Sequence, residues 1–326
     1  MMWLKFIITA VVIVVTATQL AKYGDIIAVR TKLGGMFIGV LLLAAATSLP
    51  EVLTSISSLN QGSPNLAAGN LLGSNTFNML LLAVIDISSR NQRVLRKAAV
   101  KHALTGSLSI SLIGLVVFLI LADVDLSIGW VGIDAILIMG FYIVAVRLVQ
   151  GGQINASVSD GGETIPEGTA SLRVGIIGFL VAAGVLVFVT PIMVQSANEI
   201  SVQTGLGATF VGTTLVALVT SLPELVTTLA AIKIGANDMA IGNLFGSNMF
   251  NMFAVGLTDL FYTKGRFLGE IDPAFAIVGM LGLIMTGIGL IGNLAKLEKK
   301  FWFIEIDALL LILVYIAGMW LLFIKG

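Results

Sequence analysis

Two glutamates lie deep inside long apolar runs of this chain: Glu51 closes TSLPE at 47–51, and Glu224 closes TSLPE at 220–224. A carboxylate at the centre of a hydrocarbon-embedded helix costs about 2.5–3.5 kcal/mol, so something must compensate it. No Lys or Arg stands at comparable depth in any apolar run, which leaves a bound cation or a proton as the natural partner. The residue before each glutamate is proline, Pro50 and Pro223, which has no N–H for the carbonyl four residues earlier. The carbonyls of Ala46 and Val219 are thereby freed and those of Thr47 and Thr220 loosened. In hydrocarbon such oxygen dipoles must be met by protein, water or an ion.

About twenty residues further on, each half adds amides and a hydroxyl at i, i+4, i+8 on one helix face: Asn70, Ser74 and Asn78, then Asn243, Ser247 and Asn251. Gly69 with Gly73, and Gly242 with Gly246, give these segments the small-residue spacing that lets helices approach closely. Two carboxylates with carbonyls, hydroxyls and amides make a hard-cation site of the calcium kind. Soft metals would want sulfur or imidazole. The chain has no cysteine and a single histidine, so thiolate sites, disulfides and histidine metal clusters are excluded; His102, beside Lys101, reads as a headgroup-level residue. Two glutamates are neutralised by one divalent or two monovalent ions, so two loads can compete for one place.

The elements that position these residues are membrane helices. Hydrophobic residues make up 57% of the chain and charged ones 11%, and the mean hydropathy is +1.04, far from a soluble domain. Apolar runs long enough to cross about 30 Å of hydrocarbon recur throughout. They predict ten spans, near 5–29, 35–60, 64–87, 99–122, 127–149, 173–199, 207–233, 237–261, 273–294 and 302–324. Between them, 150–172 is rich in Gly, Ser and Thr and reads as a flexible linker. Net charge is zero, so no nucleic-acid partner is suggested. If ten helices alternate, 14 of the 18 Lys and Arg fall on one side. The positive-inside rule then puts the linker in the cytoplasm and both termini outside a plasma membrane. Residues 1–17 also fit a cleaved signal peptide loosely, a reading that would remove a helix the repeat below needs.

The repeat has an offset of 173 residues. TSLPE returns, and GNLLGSNTFNM at 69–79 returns as GNLFGSNMFNM at 242–252, nine of eleven identical. Asp86 matches Asp259, and Ile133-Asp134-Ala135 matches Ile306-Asp307-Ala308, so the register holds to the last helix of each half. Five helices per copy is an odd number, so the second copy enters the membrane from the opposite side. The expected fold is an all-α membrane protein of ten transmembrane helices in two inverted five-helix repeats. Residues 1–149 form the first repeat, with its motifs at 39–79, and 173–326 the second, with its motifs at 212–252. Transporters built this way bind substrate near the bilayer midplane, between the repeats, on interrupted helices.

On TSLPE in both halves, and on GSNTFN and GSNMFN at matching distance, the chain resembles the cation/calcium exchanger superfamily, in particular its sodium/calcium exchanger branch. The H+/Ca2+ branch tends to carry GN-x-x-E at the acidic position, which is absent here. The resemblance implies that Glu51 and Glu224 coordinate Ca2+ together with the carbonyls of Thr47 and Thr220. It implies that Na+ is shared among Ala44, Thr47, Ser74 and Glu51 in one half, and Ala217, Thr220, Ser247 and Glu224 in the other. Asn78 and Asn251 would flank the centre, with Ser48 and Ser221 as further ligands or helix-end stabilisers, and the first and sixth helices would slide as a gate. The chain departs from the family pattern where Ala46 and Val219 replace a glycine, and where Asn251 stands in place of the aspartate of many relatives.

The function expected is Na+/Ca2+ antiport, with the bilayer as the only other partner, no cofactor and no protein partner implied. Coupling to protons or another cation on the same scaffold is the nearest alternative. A passive channel is a different class, disfavoured by the broken-helix repeat. Catalysis is not expected, because TSLPE pairs no nucleophile with a base. Asp160-Gly161-Gly162-Glu163 is too short and unpatterned for a calcium loop.

Overall fold

The computed structural model describes residues 2–31, 43–88, 94–157, 170–233, 237–295, 300–301 and 304–325. In chain order the elements are α1 (Met2–Thr31), α2 (43–60, interrupted at Ser48), α3 (Pro64–Ser88), α4 (Val94–Ala122), β1 (Ser127–Ile128), β2 (Val131–Gly132) and α5 (Ile133–Ser157). The second half contains α6 (Leu172–Thr204), α7 (Gly207–Lys233), α8 (Asn237–Asp259), α9 (Phe267–Glu270), α10 (Phe275–Ala295), β3 (Lys300–Phe301), β4 (Ile304–Glu305) and α11 (Ile306–Lys325). Among the described residues, eight helices are long and apolar enough to cross a membrane. The other two predicted spans are α2, described only from residue 43, and α8. The latter carries the polar residues Asn243, Ser247, Asn248 and Asn251, all fully enclosed by protein.

Three expectations need correction. Short antiparallel strand pairs stand between the helices, Ser127–Ile128 with Val131–Gly132 and Lys300–Phe301 with Ile304–Glu305, related by the repeat offset, where the sequence reading began the fifth helix at 127. Gly129, at φ 67, occupies the first position of a two-residue loop that requires positive φ, which turns the chain before the helix can start. The fifth helix also continues to Ser157, into the predicted linker and through Gly151 and Gly152, whose cost in a helix is about 1 kcal/mol each and does not by itself end one. The rest of that linker, 158–169, lies outside the described residues. His102 is buried against protein rather than exposed at headgroup level.

The packing pairs up under the same offset. α1 lies along α6, with Ile13, Ala17 and Leu20 set against Leu186, Met193 and Ala197 in a core of their own. α4 packs on α8 as α10 packs on α3, and α5 packs on α8 as α11 packs on α3. These six helices enclose a second pair of apolar cores, built in part from Leu112, Val116, Met252 and Val278, and from Leu82, Ile85, Leu244 and Met285. Lipid is met instead by faces such as Leu180, Val181 and Phe188 of α6.

One end of the bundle is tied by buried charge. Arg266 donates to Asp134 Oδ2 at 3.0 Å and pairs also with Asp123. Asp259 accepts from the amides of Gly132 (2.8 Å) and Phe267, and Trp130 Nε1 donates to the Leu260 carbonyl at 3.2 Å. The hairpin before α5 is thus clamped onto the end of α8, and first-half residues are held by second-half ones.

Candidate cation site

The interrupted helices converge at the centre. α2 breaks at Ser48 (φ −87, ψ 6), with Pro50 in the first turn of its second segment, Leu49–Asn60. α7 breaks equivalently at Ser221 (φ −89, ψ 1), before Leu222–Lys233. One turn upstream α7 also contains a π-helical turn, Gly212–Val216, a feature often found at functional sites and invisible to periodicity arguments. The glycine spacing read in α3 has its partner there. A Cβ on Gly69 would lie 2.8 Å from the Thr213 nitrogen, and one on Gly73 would lie 2.6 Å from the Thr213 carbonyl oxygen. Only glycine permits this backbone contact.

Glu51 and Glu224 are completely buried, and each is held by the opposite half. Ser48 Oγ donates to Glu224 Oε1 at 2.9 Å, and Ser221 Oγ donates to Glu51 Oε1 at 3.2 Å. The sequence reading offered Ser48 and Ser221 as ligands or helix-end stabilisers; the structure gives them a reciprocal contact across the repeats. Within each half the third helix adds a longer contact, Ser74 Oγ to Glu51 Oε1 at 3.4 Å and Ser247 Oγ to Glu224 Oε1 at 3.5 Å.

The amides at the start of the motif are fully committed to structure. Asn70 Nδ2 donates to the Glu51 carbonyl and to Ser55 Oγ, both at 2.9 Å, while its Oδ1 accepts from Thr220 Oγ1 at 2.9 Å. Asn243 pairs with Thr228 and Thr47 as Asn70 does with Ser55 and Thr220, but its third contact is Thr227 Oγ1 at 3.2 Å, which stands between it and the Glu224 carbonyl. The carbonyl of Ala44 accepts from Ser48 N (2.9 Å) and Thr47 Oγ1 (3.1 Å), and that of Ala217 accepts from Ser221 N (3.0 Å) and lies 3.3 Å from Thr220 Oγ1, whose proton is given to Asn70.

Four other acceptor oxygens are buried and receive no hydrogen bond among the described residues: Glu51 Oε2, Glu224 Oε2, Asn78 Oδ1 and Asn251 Oδ1. The amide nitrogens of the two asparagines are spent elsewhere, Asn78 Nδ2 on Asn248 Oδ1 at 3.0 Å and Asn251 Nδ2 on Asn75 Oδ1 at 3.1 Å. Asn75 and Asn248 were not singled out from sequence, because each is one residue off the i, i+4, i+8 face. Two carboxylate and two amide oxygens, each buried without a donor, are what a hard cation satisfies and what protein alone leaves costly.

Known proteins share sequence and fold with this chain. The family model "Sodium/calcium exchanger protein" matches residues 1–150 and 174–324, two segments that meet at the predicted linker. The relative CaxA of Alkalimonas amylolytica is 26% identical over 332 residues, covering 98% of each chain. Among solved structures, the sodium-calcium exchanger NCX_Mj superposes with a TM-score of 0.60 at 23% identity, over 98% of this chain and 99% of its own. The H+/Ca2+ exchanger CAX superposes at 0.72 and 12% identity, over 99% and 85%. This chain belongs to the sodium/calcium exchanger protein family, whose members are multi-pass membrane antiporters moving Ca2+ against another cation. It is accordingly a transporter of the cation/Ca2+ exchanger group rather than a catalyst.

Proposed function

We propose that the chain exchanges Na+ for Ca2+ by alternating access, both ions using one central site. Glu51 and Glu224 supply the charge, and Asn78, Asn251, Ser74, Ser247 and the Thr47 and Thr220 carbonyls complete the coordination. Ala44 and Ala217 join when Na+ is bound, and Ser48 and Ser221 steady the carboxylates. The four donorless oxygens carry this reading. In support of Na+ as the second ion, the acidic position lies in TSLPE in both halves. The fold likeness to CAX favours one alternative, proton coupling on the same scaffold. In proteoliposomes, an outward Na+ gradient is expected to drive uptake of radiolabelled calcium at least about tenfold above Na+-free controls, while a pH gradient alone should not. Uptake that follows the pH gradient and ignores Na+ would overturn the sodium assignment.

The same proposal has ten spans in two inverted repeats, residues 1–149 and 173–326, with 150–172 cytoplasmic and both termini outside. The predicted position Ile234 lies outside the described residues, so the exposed Lys233 beside it serves as a probe with the exposed Gln61. In this cysteine-free chain, Gln61→Cys should label from outside and Lys233→Cys from inside. Labelling of both from the same side would end the inverted arrangement.

A further inference from the structure

The two amide ligands are not held alike. Asn248 commits its whole side chain: Nδ2 donates to Thr286 Oγ1 at 3.4 Å and to the Asn75 carbonyl at 3.5 Å, so only Oδ1 is left to face Asn78 Nδ2. Thr286 can accept because its own hydroxyl proton goes to the Gly282 carbonyl at 2.7 Å. The chain Gly282, Thr286, Asn248, Asn78 therefore runs in one direction and ends with Asn78 Oδ1 pointing away from its donors.

Asn75 has the corresponding place opposite Asn251, but its Nδ2 has no acceptor among the described residues. The position related to Thr286 by the repeat offset is Ile113, buried and without a hydroxyl. Nothing forces Asn75 to present oxygen. If its amide reverses, Asn75 Nδ2 faces Asn251 and accepts nothing from it, and Asn251 must reverse too. The group presented to the site then changes from a carbonyl oxygen to an N–H donor. A cation favours the first orientation and a bare carboxylate the second.

Resting on the reading of Glu51 and Glu224 as a cation site, we infer that Thr286 and Asn248 are positioning residues. They lock Asn78 as a standing oxygen ligand, while Asn75 leaves Asn251 as a reversible one. The lock acts on ion affinity through orientation, since neither Thr286 nor Asn248 needs to touch the ion.

The test is removal and restoration of one hydroxyl. Thr286→Val, or Thr286→Ala should the first not fold, removes the shorter of the two contacts that hold Asn248 Nδ2 and so weakens the hold on the orientation of Asn248 and Asn78. It should raise the KM for Ca2+ about fivefold, the loss of one ordinary hydrogen bond, with kcat within about twofold. Thr286→Ser keeps the hydroxyl and should restore the wild-type KM. Calcium-induced thermal stabilisation of purified protein should fall in parallel in the first variants and recover in the last. A purely structural role predicts a lower melting temperature with KM unchanged, and that outcome overturns the lock, as does a raised KM that Ser does not restore. Wild-type protein that gains no thermal stability from Ca2+ would instead remove the cation site itself, and this inference with it.

Discussion

Replacing Glu51 or Glu224 by glutamine is expected to abolish exchange while leaving the protein inserted and folded. The change removes one of the two charges at the site but almost no volume, and the amide oxygen can still accept from Ser221 or Ser48 respectively. What is lost is a charge-assisted contact to a divalent ion. At about 1.5–3 kcal/mol for a hydrogen bond to a charged group, and more for direct ligation, Ca2+ binding should weaken by at least about a hundredfold. Folding should not suffer, because a buried carboxylate without its ion is itself a burden, so the variants should melt no lower than the ion-free wild type. Sodium-driven calcium uptake, read beside the melting temperature with and without Ca2+, separates the two effects. Either variant retaining more than about a tenth of wild-type uptake would show that its carboxylate is not an ion ligand.

The second large effect is electrical. With Asn251 in place of an aspartate, the site carries two carboxylate charges, from Glu51 and Glu224, because an amide cannot ionise. A calcium-loaded centre is then close to neutral. If the sodium-loaded state holds three ions, the number the family resemblance implies, it bears about one excess positive charge. Each cycle then moves net charge and responds to voltage by about 2.3 kcal/mol per charge per 100 mV. Exchange is therefore expected to be electrogenic, with a transient current on solid-supported membranes whenever Na+ and Ca2+ are both offered. Asn251→Asp adds an acid that must either hold a proton or attract another monovalent ion, so its current should acquire pH or K+ dependence absent from the wild type. Sodium-dependent calcium flux with no current would mean that two Na+ are exchanged, or that a proton returns, and would sink the three-sodium version.

Much of the architecture was legible because the chain states it twice. The recurrence of TSLPE and of GN-x-x-GSN locates the two broken helices and the two polar ones, and proline beside glutamate marks where α2 and α7 must bend. Spacing alone could not show which side chains meet across the halves. Ser48 lies three residues from Glu51, so a local reading pairs them; in the folded chain its hydroxyl reaches Glu224. Asn75 and Asn248 fell outside the helical stripe through Ser74, yet they orient the amides that lie on it. The π turn at Gly212–Val216, which packs against Gly69 and Gly73 of α3, leaves no mark in the apolar periodicity. The strand pair at 127–132 was not separated from the fifth helix because its Ile128, Trp130 and Val131 are apolar and it runs directly into Ile133.

The crossed serine contacts bear on how such a molecule can be assembled at all. Each half contains a carboxylate, yet the shortest hydroxyl contact to it comes from the other half, which the proposed arrangement sets the other way up. Two separate chains would have to be inserted in opposite orientations, in equal numbers, and then find one another in the bilayer. Joining them end to end fixes the ratio at one to one and lets the first unit set the orientation of the second. Once joined, the copies no longer need to be interchangeable. Thr286, where the repeat offset places Ile113 in the other half, shows that freedom already in use, with each half able to specialise.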